Sequence, residues 1–533
     1  MSRESNDEQS LQSAVADELD TTAWRDYRKL SSESVTGDRR NVERVLAELL
    51  TTVLDQKLLA RIHNDLGVLA AVDGRIDESV RHFSEAVGLI PDLQVAQENH
   101  RLISWQAAEV GRRNEQAVVS HRSTRVGIVS LLFNWPSTGG GTVHTAELAR
   151  FLSRAGYEVR HFVIGYAGWS VGQVSDVTDW PIERLDFDDS AWHRAEIQRR
   201  VRRAVDTFSP DAVIITDSWS FKPRLAEALQ GTPYYLRLAA QECLCPLNNV
   251  RLLWDTNGNT RACPQHQLAT PDICSACVGQ RSRYSGALHR AERELAGFDE
   301  PDYGRCLREA FAGATGVLVV NPLIAEMVKP HTPAVHVVPS GFDASRFPWT
   351  QSNDLPNTDQ TRILFAGLVE EPMKGFTILE AAAKLIWQQR KDFRLIVTSD
   401  PVGESNEFTE FVGWKSQQEL PRLMRESDIV VCPTIAEEAL GRTAVEGMGA
   451  GRPVVASRIG GLPFVVLDEA TGLLCEPSDP VDLARQLVRL LNDRQLQKQM
   501  GQAGRRRFEQ HYTWEVILDR HYRQLLGAPV RSM

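Results

Sequence analysis

Glu438 and Glu446 are the residues whose type and spacing point most clearly to chemistry. An apolar run that ends at Pro433 predicts a strand, and a helix is predicted to begin near Gly441 and to carry Glu446 in its second turn. The free amides and the dipole of a helix N-terminus attract a phosphate. Carboxylates are poor phosphate ligands, but they accept hydrogen bonds from sugar and ribose hydroxyls. The segment therefore suits a ligand that carries both phosphate and sugar.

A glycine run in the first half of the chain is a second candidate site. Gly139, Gly140 and Gly141 follow the apolar run 125–133 and precede a helical pattern, which is the strand–loop–helix opening of an α/β unit. Glycine lets another group approach the backbone closely, and an ordinary turn is the alternative. His144 falls in the first helical turn, where it would either face a cleft or pack in the core.

A cluster of cysteines indicates a third kind of site. Five of the eight cysteines lie within residues 243–277. Cys274 and Cys277 have the C-x2-C spacing with which two thiolates hold one metal, and Cys245 and Cys263 would complete a tetrahedral zinc site of the structural type. Free reduced thiols and a disulfide are the alternatives.

The elements that must position these residues are short apolar runs that alternate with helical patterns. Such alternation predicts parallel sheets covered by helices. The predicted strands of the first series are 125–133, 161–165, 212–216, 234–238, 316–321 and 334–339. Those of the second series are 362–367, 393–398, 429–433 and 453–457. Two successive series predict two doubly wound domains, with a hinge within residues 341–359.

The region before the first strand has a helical pattern. Within it, Gly67 would let two helices approach closely, Phe83 would fill the seam between them, and Pro91 would stop the second helix. With these residues, positions 60–92 resemble a tetratricopeptide repeat, and a plain helical hairpin is the alternative. A protein partner for this region is a hypothesis, because one repeat cannot form a solenoid.

The composition limits the class of protein. The 533 residues are 42% apolar and 24% charged, as in an ordinary globular protein. The net charge of −10 disfavours nucleic acid as the main partner. No run approaches the roughly 18–20 apolar residues of a membrane helix, and the polar first residues lack a signal core. We therefore expect a cytoplasmic protein with at most a peripheral membrane contact.

Taken in order, the motifs resemble those of retaining GT-B glycosyltransferases, in particular glycosyltransferase family 4. Glu438 and Glu446 have the E-x7-E spacing of that family. The other matching segments are 339–343, 365–367, 374–375, 451–457, 471–474 and 508–514. The resemblance implies an α/β fold of two Rossmann-like doubly wound domains that face a cleft, and the helical pattern before them predicts a small all-α helical-repeat region.

The residue patterns and the resemblance together predict a division of the chain. The expected parts are a disordered tail (1–22), a helical region like a tetratricopeptide repeat (23–118), an N-terminal Rossmann-like acceptor domain (122–342) with the cysteine-rich insert (243–277), a C-terminal Rossmann-like nucleotide-sugar-binding domain (343–508) and a C-terminal helix that packs back on the N-terminal domain (509–533).

By the same resemblance, each donor-site residue has an expected role. Glu438 would hold hydroxyls of the donor sugar, Glu446 would hold the ribose, and Lys374 would neutralise the diphosphate. The phosphate cradle would be completed by amides near Gly441, Arg442 and Thr443.

The glycine loop, with Gly140 and Gly141, would lie beneath the diphosphate and the acceptor. Gly367 would also line the donor site. The expected catalytic residues are Lys374, Glu438 and His144.

The implied reaction moves a sugar from a nucleotide-sugar donor to a glycan, lipid-linked or small-molecule acceptor, with retention of anomeric configuration. The acceptor attacks on the face from which the diphosphate leaves, and the leaving phosphate helps to take the proton. Neither a strong base nor a catalytic metal is required, so any zinc would be structural. One alternative is a helical-repeat adaptor fused to a degenerate GT-B domain, and the other is a different GT-B reaction such as that of a phosphorylase or an epimerase.

Two departures from the family pattern leave parts of the site unassigned. Leu368 follows Gly367 where many members carry an arginine, so a second phosphate-binding cation is not identified. Ala239 and Ala240 occupy positions where many members have a histidine, with Glu242 nearby, so an N-terminal catalytic group is not identified either.

Overall fold

The computed structural model describes Tyr27 and residues 39–53, 55–112, 124–137, 139–175, 177–254, 260–349, 360–401, 406–527 and 529. The chain divides into two compact units, residues 1–118 and residues 119–533. The tail predicted for residues 1–22 lies outside the described residues.

The first unit is helical over its described residues. Its helices are α1 (Arg39–Leu49), α2 (Gln56–Val72), α3 (Ile76–Leu89) and α4 (Gln94–Arg112). The ring of Phe83 lies against Gly67, where a Cβ would come within 2.7 Å of it, and the Ser79 hydroxyl donates to the Gly67 carbonyl at 2.8 Å. Helices α2 and α3 therefore pack as a close pair. The likeness to a tetratricopeptide repeat and the protein partner stay predictions.

The second unit begins with a seven-stranded parallel sheet in the order β3-β2-β1-β4-β5-β8-β9. Its strands are β1 (Arg125–Ser130), β2 (Glu158–Tyr166), β3 (Ile182–Phe187), β4 (Ala212–Thr216), β5 (Tyr234–Leu238), β8 (Gly316–Val319) and β9 (Val335–Val337). Its helices are α5 (Gly140–Arg154), α6 (Arg194–Phe208), α7 (Lys222–Ala228), α8 (Pro271–Arg281), α9 (Ala287–Ala296), α10 (Tyr303–Ala312) and α11 (Pro322–Val328). The cysteine-rich insert adds an antiparallel hairpin of β6 (Leu252–Trp254) and β7 (Thr260–Ala262).

A six-stranded parallel sheet follows, in the order β12-β11-β10-β13-β14-β15. Its strands are β10 (Thr361–Phe365), β11 (Phe393–Val397), β12 (Thr409–Phe411), β13 (Ile429–Cys432), β14 (Val454–Ser457) and β15 (Gly472–Cys475). Its helices are α12 (Phe376–Trp387), α13 (Leu420–Arg425), α14 (Arg442–Gly449), α15 (Leu462–Val465), α16 (Pro480–Asn492) and α17 (Arg494–His511). The predicted fold class, α/β with two Rossmann-like domains, is confirmed.

Each sheet has one point where the strand order reverses, and this point sets the place of the site. In the first sheet β1 pairs with both β2 and β4, with Ile128 opposite Ile214. In the second sheet β10 pairs with both β11 and β13, with Ile363 opposite Ile429. Ligands of open α/β sheets bind outside the carboxyl ends of the strands at such a point. The loops that follow β1, β4, β10 and β13 are therefore the ones to inspect.

After the second sheet the chain returns to the first. Its last elements are α18 (Trp514–Ile517), a π-helical turn (Leu518–Tyr522) and α19 (Arg523–Leu526). Trp514 stacks on Phe151 at 5.4 Å between ring centroids and belongs to the apolar core that contains β1. The outgoing and returning segments run side by side, because the Phe342 amide donates to the Tyr512 carbonyl at 2.8 Å.

No helix among the described residues is long and apolar enough to cross a bilayer.

Candidate functional site

Lys374 is held at the carboxyl end of β13 by the residues around it. It ends a short 3-10 turn and precedes Gly375, whose φ is +74°. A Cβ on Gly375 would overlap the carbonyl oxygen of Pro433. The Thr434 hydroxyl donates to the Met373 carbonyl at 2.7 Å. This close approach of the two loops is the physical reason why a glycine follows the lysine.

Lys374 and Glu438 form an ion pair in the structure. The Lys374 Nζ donates to Glu438 Oε1 at 2.5 Å, and both side chains remain partly exposed. The Glu438 carboxylate raises the pKa of Lys374, against the opposing effect of burial. The lysine therefore stays cationic throughout the physiological pH range and presents its charge at the sheet edge.

The loop that carries Glu438 is supported from below by a double-glycine turn. The amide of Gly461 donates to the Glu438 carbonyl at 2.6 Å. Gly460 has a φ of +59°, and a Cβ there would come within 2.5 Å of the same carbonyl oxygen. Glycine permits this close backbone approach, so the Gly-Gly motif helps to position the loop that carries the Glu438 carboxylate.

Helix α14 begins beside that loop. Gly441, with a φ of +80°, is its N-cap residue. The Thr443 hydroxyl lies 3.5 Å from the Ala366 carbonyl, adjacent to Gly367. The first amides of a helix have no acceptor within the helix, so α14 aims positive backbone groups at the edge where Gly367 lies.

Glu446 is a buried carboxylate with one open oxygen. Its side chain is 4% exposed, and burial raises its pKa although Arg442 and Arg346 oppose that effect. The Nη2 of Arg442 lies 3.8 Å from Oε1. That oxygen has no hydrogen-bond partner among the described residues. A buried acceptor without a donor is costly, so this atom is suited to a hydroxyl donor from a ligand.

Arg442 reaches across from the second sheet to the glycine loop of the first. Its guanidinium lies 4.2 Å from the ring centroid of Phe342. A Cβ on Gly140 would come within 2.8 Å of the arginine Cδ. Gly141 lies deeper, because a Cβ there would meet Ala239 at 3.5 Å. The glycine run therefore admits a side chain of the other domain.

Glu147 was not among the predicted site residues, although it holds the contact between the two domains. It is 3% exposed and lies on α5. It accepts from Arg346 at 3.2 Å and from the Trp514 indole at 3.1 Å, and Arg442 lies 3.8 Å away. The available signal was an acidic residue flanked by apolar residues in the segment Ala146-Glu147-Leu148-Ala149 of a predicted helix.

His144 lies one turn before Glu147 on α5. Its ring is 1% exposed and stacks on Trp514 at 5.2 Å between centroids. Burial, together with Arg237 and Arg442, lowers its pKa well below the usual value, so the ring is neutral. Neither ring nitrogen has a hydrogen-bond partner in the described part of the chain. Its catalytic role stays a prediction, and it would have to be exerted by a neutral ring.

Asp217 is a second site residue that the sequence did not reveal. It follows β4 with a φ of +40°. It accepts from Ser130 at 3.1 Å and from Thr142 at 3.4 Å, and a Cβ on Gly141 would lie 3.8 Å from its Oδ1. Burial raises its pKa to about 6. A carboxyl that titrates near neutrality beneath the glycine loop is a functional candidate.

Glu242 has a structural position. Its carboxylate accepts from the amides of Ala239 and Ala240 at 3.1 and 2.7 Å, so it shapes the loop after β5. Gln241 instead faces the other domain and donates to Glu437 at 3.0 Å.

The four cysteines predicted as metal ligands lie together. Cys245, Cys263, Cys274 and Cys277 line one cavity of about 440 Å³. All eight cysteines are free thiols. Within the described residues, no three His, Cys, Asp or Glu side chains are arranged closely enough to hold a metal ion.

Residues 360–493 match the family model described as "Glycosyl transferases group 1". An uncharacterised glycosyltransferase of Methanocaldococcus jannaschii is 35% identical over 27% of this chain and 42% of its own length. The lipopolysaccharide 1,2-N-acetylglucosaminetransferase of Salmonella typhimurium is 30% identical over 36% of this chain and 56% of its own length. The chain thus spans about half the length of the curated relatives it matches.

Solved structures resemble about three quarters of this chain in fold. Sucrose-phosphate synthase from Thermosynechococcus elongatus superposes with a TM-score of 0.52 at 18% identity, over 76% of this chain and 100% of that one. The Anabaena protein HepE, crystallised with UDP-glucose, superposes with a TM-score of 0.51 at 15% identity, over 75% of this chain and 99% of that one. At these identities the likeness concerns the GT-B fold alone.

Proposed function

We propose that the protein transfers a sugar from a nucleotide-sugar donor to a glycan, lipid-linked or small-molecule acceptor, with retention of anomeric configuration. The match of residues 360–493 to the glycosyl transferases group 1 model supports this proposal. The observation that carries this proposal is the grouping of Lys374, Glu438 and the start of α14 at one sheet edge, with the open oxygen of Glu446 on the same helix. Cation, helix amides and acceptor oxygens match the diphosphate and hydroxyl groups of such a donor.

Donor binding would rearrange the ion pair. A diphosphate carries more negative charge than one carboxylate, so Lys374 would exchange Glu438 for phosphate oxygens. Glu438, released from the lysine, would then accept hydrogen bonds from sugar hydroxyls. As the sugar–phosphate bond breaks, negative charge grows on the leaving diphosphate, where the lysine and the α14 amides stabilise it without reorganising.

Glu446 would hold the other end of the donor. Its open Oε1 would accept a hydrogen bond from a ribose hydroxyl, and the neighbouring Arg442 partly offsets the effect of burial, which raises the pKa of this carboxyl. A ribose hydroxyl satisfies an oxygen that is otherwise buried without a donor, and this gain favours nucleotides over free sugar phosphates.

In this proposal Lys374 and the α14 amides stabilise the negative charge on the leaving diphosphate, and no catalytic metal takes part. We therefore expect turnover to continue when EDTA is present during the assay. A loss of turnover that Mg²⁺ or Mn²⁺ restores would contradict this part of the proposal.

The test combines donor binding with nucleotide release. UDP-, GDP- and ADP-sugars are screened by thermal shift, because a ligand at 100 times its Kd stabilises the fold by about 2.7 kcal/mol. Release of nucleotide from the best donor is then compared between wild type and Glu446→Gln. Glu410→Gln, an exposed glutamate of the same domain, is the matched control.

We expect release by wild type and by the control, and a loss of at least tenfold in Glu446→Gln. If no donor stabilises the protein, or if no nucleotide is released, the adaptor with a degenerate transferase domain is the better account. If nucleotide is released without transfer of sugar to any acceptor, a different GT-B reaction is favoured.

A further inference from the structure

The cysteine-rich insert (residues 243–277) brings four thiols from three segments to one cavity. Cys245 follows β5, Cys263 follows β7, and the other two lie on α8. Cys274 and Cys277 are three residues apart on that helix, which places them on one face. The Cys274 sulfur is within electrostatic range of the other three sulfurs.

The surroundings of these thiols suit thiolate ligands. The backbone amides of Asn248 and Leu247 lie near the Cys245 sulfur. Donors aimed at a sulfur are the outer-shell contacts that support a metal-bound thiolate. Arg261 and Arg281 also line the cavity, and their charges would offset the double negative charge of a metal bound by four thiolates.

Cys243 shows by contrast what an ordinary buried cysteine of the insert looks like. Its thiol donates to the Trp219 carbonyl at 3.1 Å, and it does not line the cavity. The insert therefore separates four grouped cysteines from one that packs in the core.

We propose that Cys245, Cys263, Cys274 and Cys277 bind one Zn²⁺ ion. In the described structure the four thiols border the cavity without converging, so binding draws the sulfurs inward around the ion. Four thiols lose four protons to the solvent and form four zinc–sulfur bonds, with no change in oxidation state. A site closed by four thiolates leaves no position for substrate and is structural.

The zinc would brace the loop that carries Glu438. The Cys263 amide donates to the Arg251 carbonyl at 2.7 Å, and the Arg251 guanidinium donates back to the Cys263 carbonyl. The same guanidinium lies 3.3 Å from Glu437, the residue before Glu438. Fixing Cys263 therefore fixes the arginine that holds this loop. The zinc site itself does not depend on the proposed function.

The experiment measures metal in the full-length protein. Protein purified without chelator is analysed by elemental mass spectrometry, with one zinc per chain expected. Cys274→Ser/Cys277→Ser is expected to lose the zinc, and Cys243→Ser, which keeps a donor for the Trp219 carbonyl, is expected to retain it. Cobalt titrated into metal-free wild type should give the absorption of tetrahedral cobalt bound by thiolates, a readout that needs no variant.

Several outcomes would overturn the proposal. One is protein without zinc, even after growth and purification with added zinc, in which all four thiols react with a thiol reagent. A second is an intact mass two hydrogens below the calculated value, which identifies a disulfide. A third is zinc that survives in the double variant. Hydrogen exchange of residues 435–441 with and without metal tests whether zinc stabilises the loop that carries Glu438. Unchanged exchange rates would contradict that part of the proposal.

Discussion

At the scale of single residues, charge and burial decide which side chains are suited to chemistry. Lys374 and Glu438 meet as a partly exposed pair, whereas Glu446, Glu147 and Asp217 are carboxyls removed from most solvent contact. A protein does not retain several buried carboxyls together without a use or a partner. Glu147 and Asp217 accept hydrogen bonds from within the chain, whereas Glu446 Oε1 has no donor among the described residues and is the oxygen available to a ligand.

Replacement of Lys374 tests the donor site. Lys374→Ala should lower kcat by about 10²- to 10³-fold, because the leaving diphosphate loses its cation. The free energy of unfolding should change by less than about 1 kcal/mol, since the lost ion pair is partly exposed. Lys384→Ala is the matched control, because that exposed lysine of α12 pairs with Glu380 on the same helix. Equal kcat in both variants would show that Lys374 does not act on the donor.

Asp217 gives a prediction about pH. Its pKa is about 6 in the folded protein and about 3.8 without burial, so the folded state binds the proton more tightly. Stability from this group is present below pH 3.8 and is lost as pH rises through 6. Asp217→Asn should therefore be more stable than wild type at pH 7, by about 1–2 kcal/mol, with a weaker pH dependence between 4 and 6.

The same variant separates function from packing. If Asp217 binds the acceptor hydroxyl, kcat of Asp217→Asn should fall by about 10²-fold while stability rises. Denaturant unfolding between pH 4 and 8 and steady-state kinetics measure the two effects. A variant that is less stable at pH 7 and fully active would assign the carboxyl a structural role.

At the scale of elements, the sequence predicted most of the strands that are buried on both sides, although the buried strand β15 was not predicted. The runs at 212–216 and 234–238 coincide with β4 and β5, because a central parallel strand is continuously apolar. The edge strands β3 and β12 were missed, since their side chains are mostly exposed or half-buried. The motifs predicted the loops after β10 and β13, but spacing carries no information on burial, so Glu147 and Asp217 were not found.

Gly375 tests how the loops position the lysine. Gly375→Ala should destabilise the fold by more than about 2 kcal/mol, because a left-handed alanine costs about 1–2 kcal/mol and its Cβ also overlaps the Pro433 carbonyl. Gly413→Ala is a matched control, since Gly413 has a φ of +69° and its nearest neighbour would be 3.8 Å away. Urea unfolding and the donor Kd should both change more in Gly375→Ala. Equal changes in stability and donor Kd in the two variants would mean that the loop accommodates a Cβ at position 375.

At the scale of the whole second unit, one tryptophan connects the two Rossmann-like domains to the site. Trp514 lies where the returning chain re-enters the first domain, packs over Gly341 and donates to Glu147. Glu147 in turn faces Arg442, the first residue of α14. The relative position of the two sheets and the charge balance of the cleft therefore depend on the same side chain.

Trp514→Ala and Trp514→Phe separate these two contributions. The alanine variant should lose about 3–5 kcal/mol of unfolding free energy, since it empties a fully buried site. The phenylalanine variant keeps the stacking on Phe151 but leaves Glu147 without the indole donor, so it should lose less stability and still bind the donor more weakly. Urea unfolding and donor titration measure both effects. A phenylalanine variant with wild-type donor affinity would show that Trp514 contributes to stability by packing but does not affect donor binding through Glu147 and Arg442. The residues of the second sheet would then determine donor affinity by themselves.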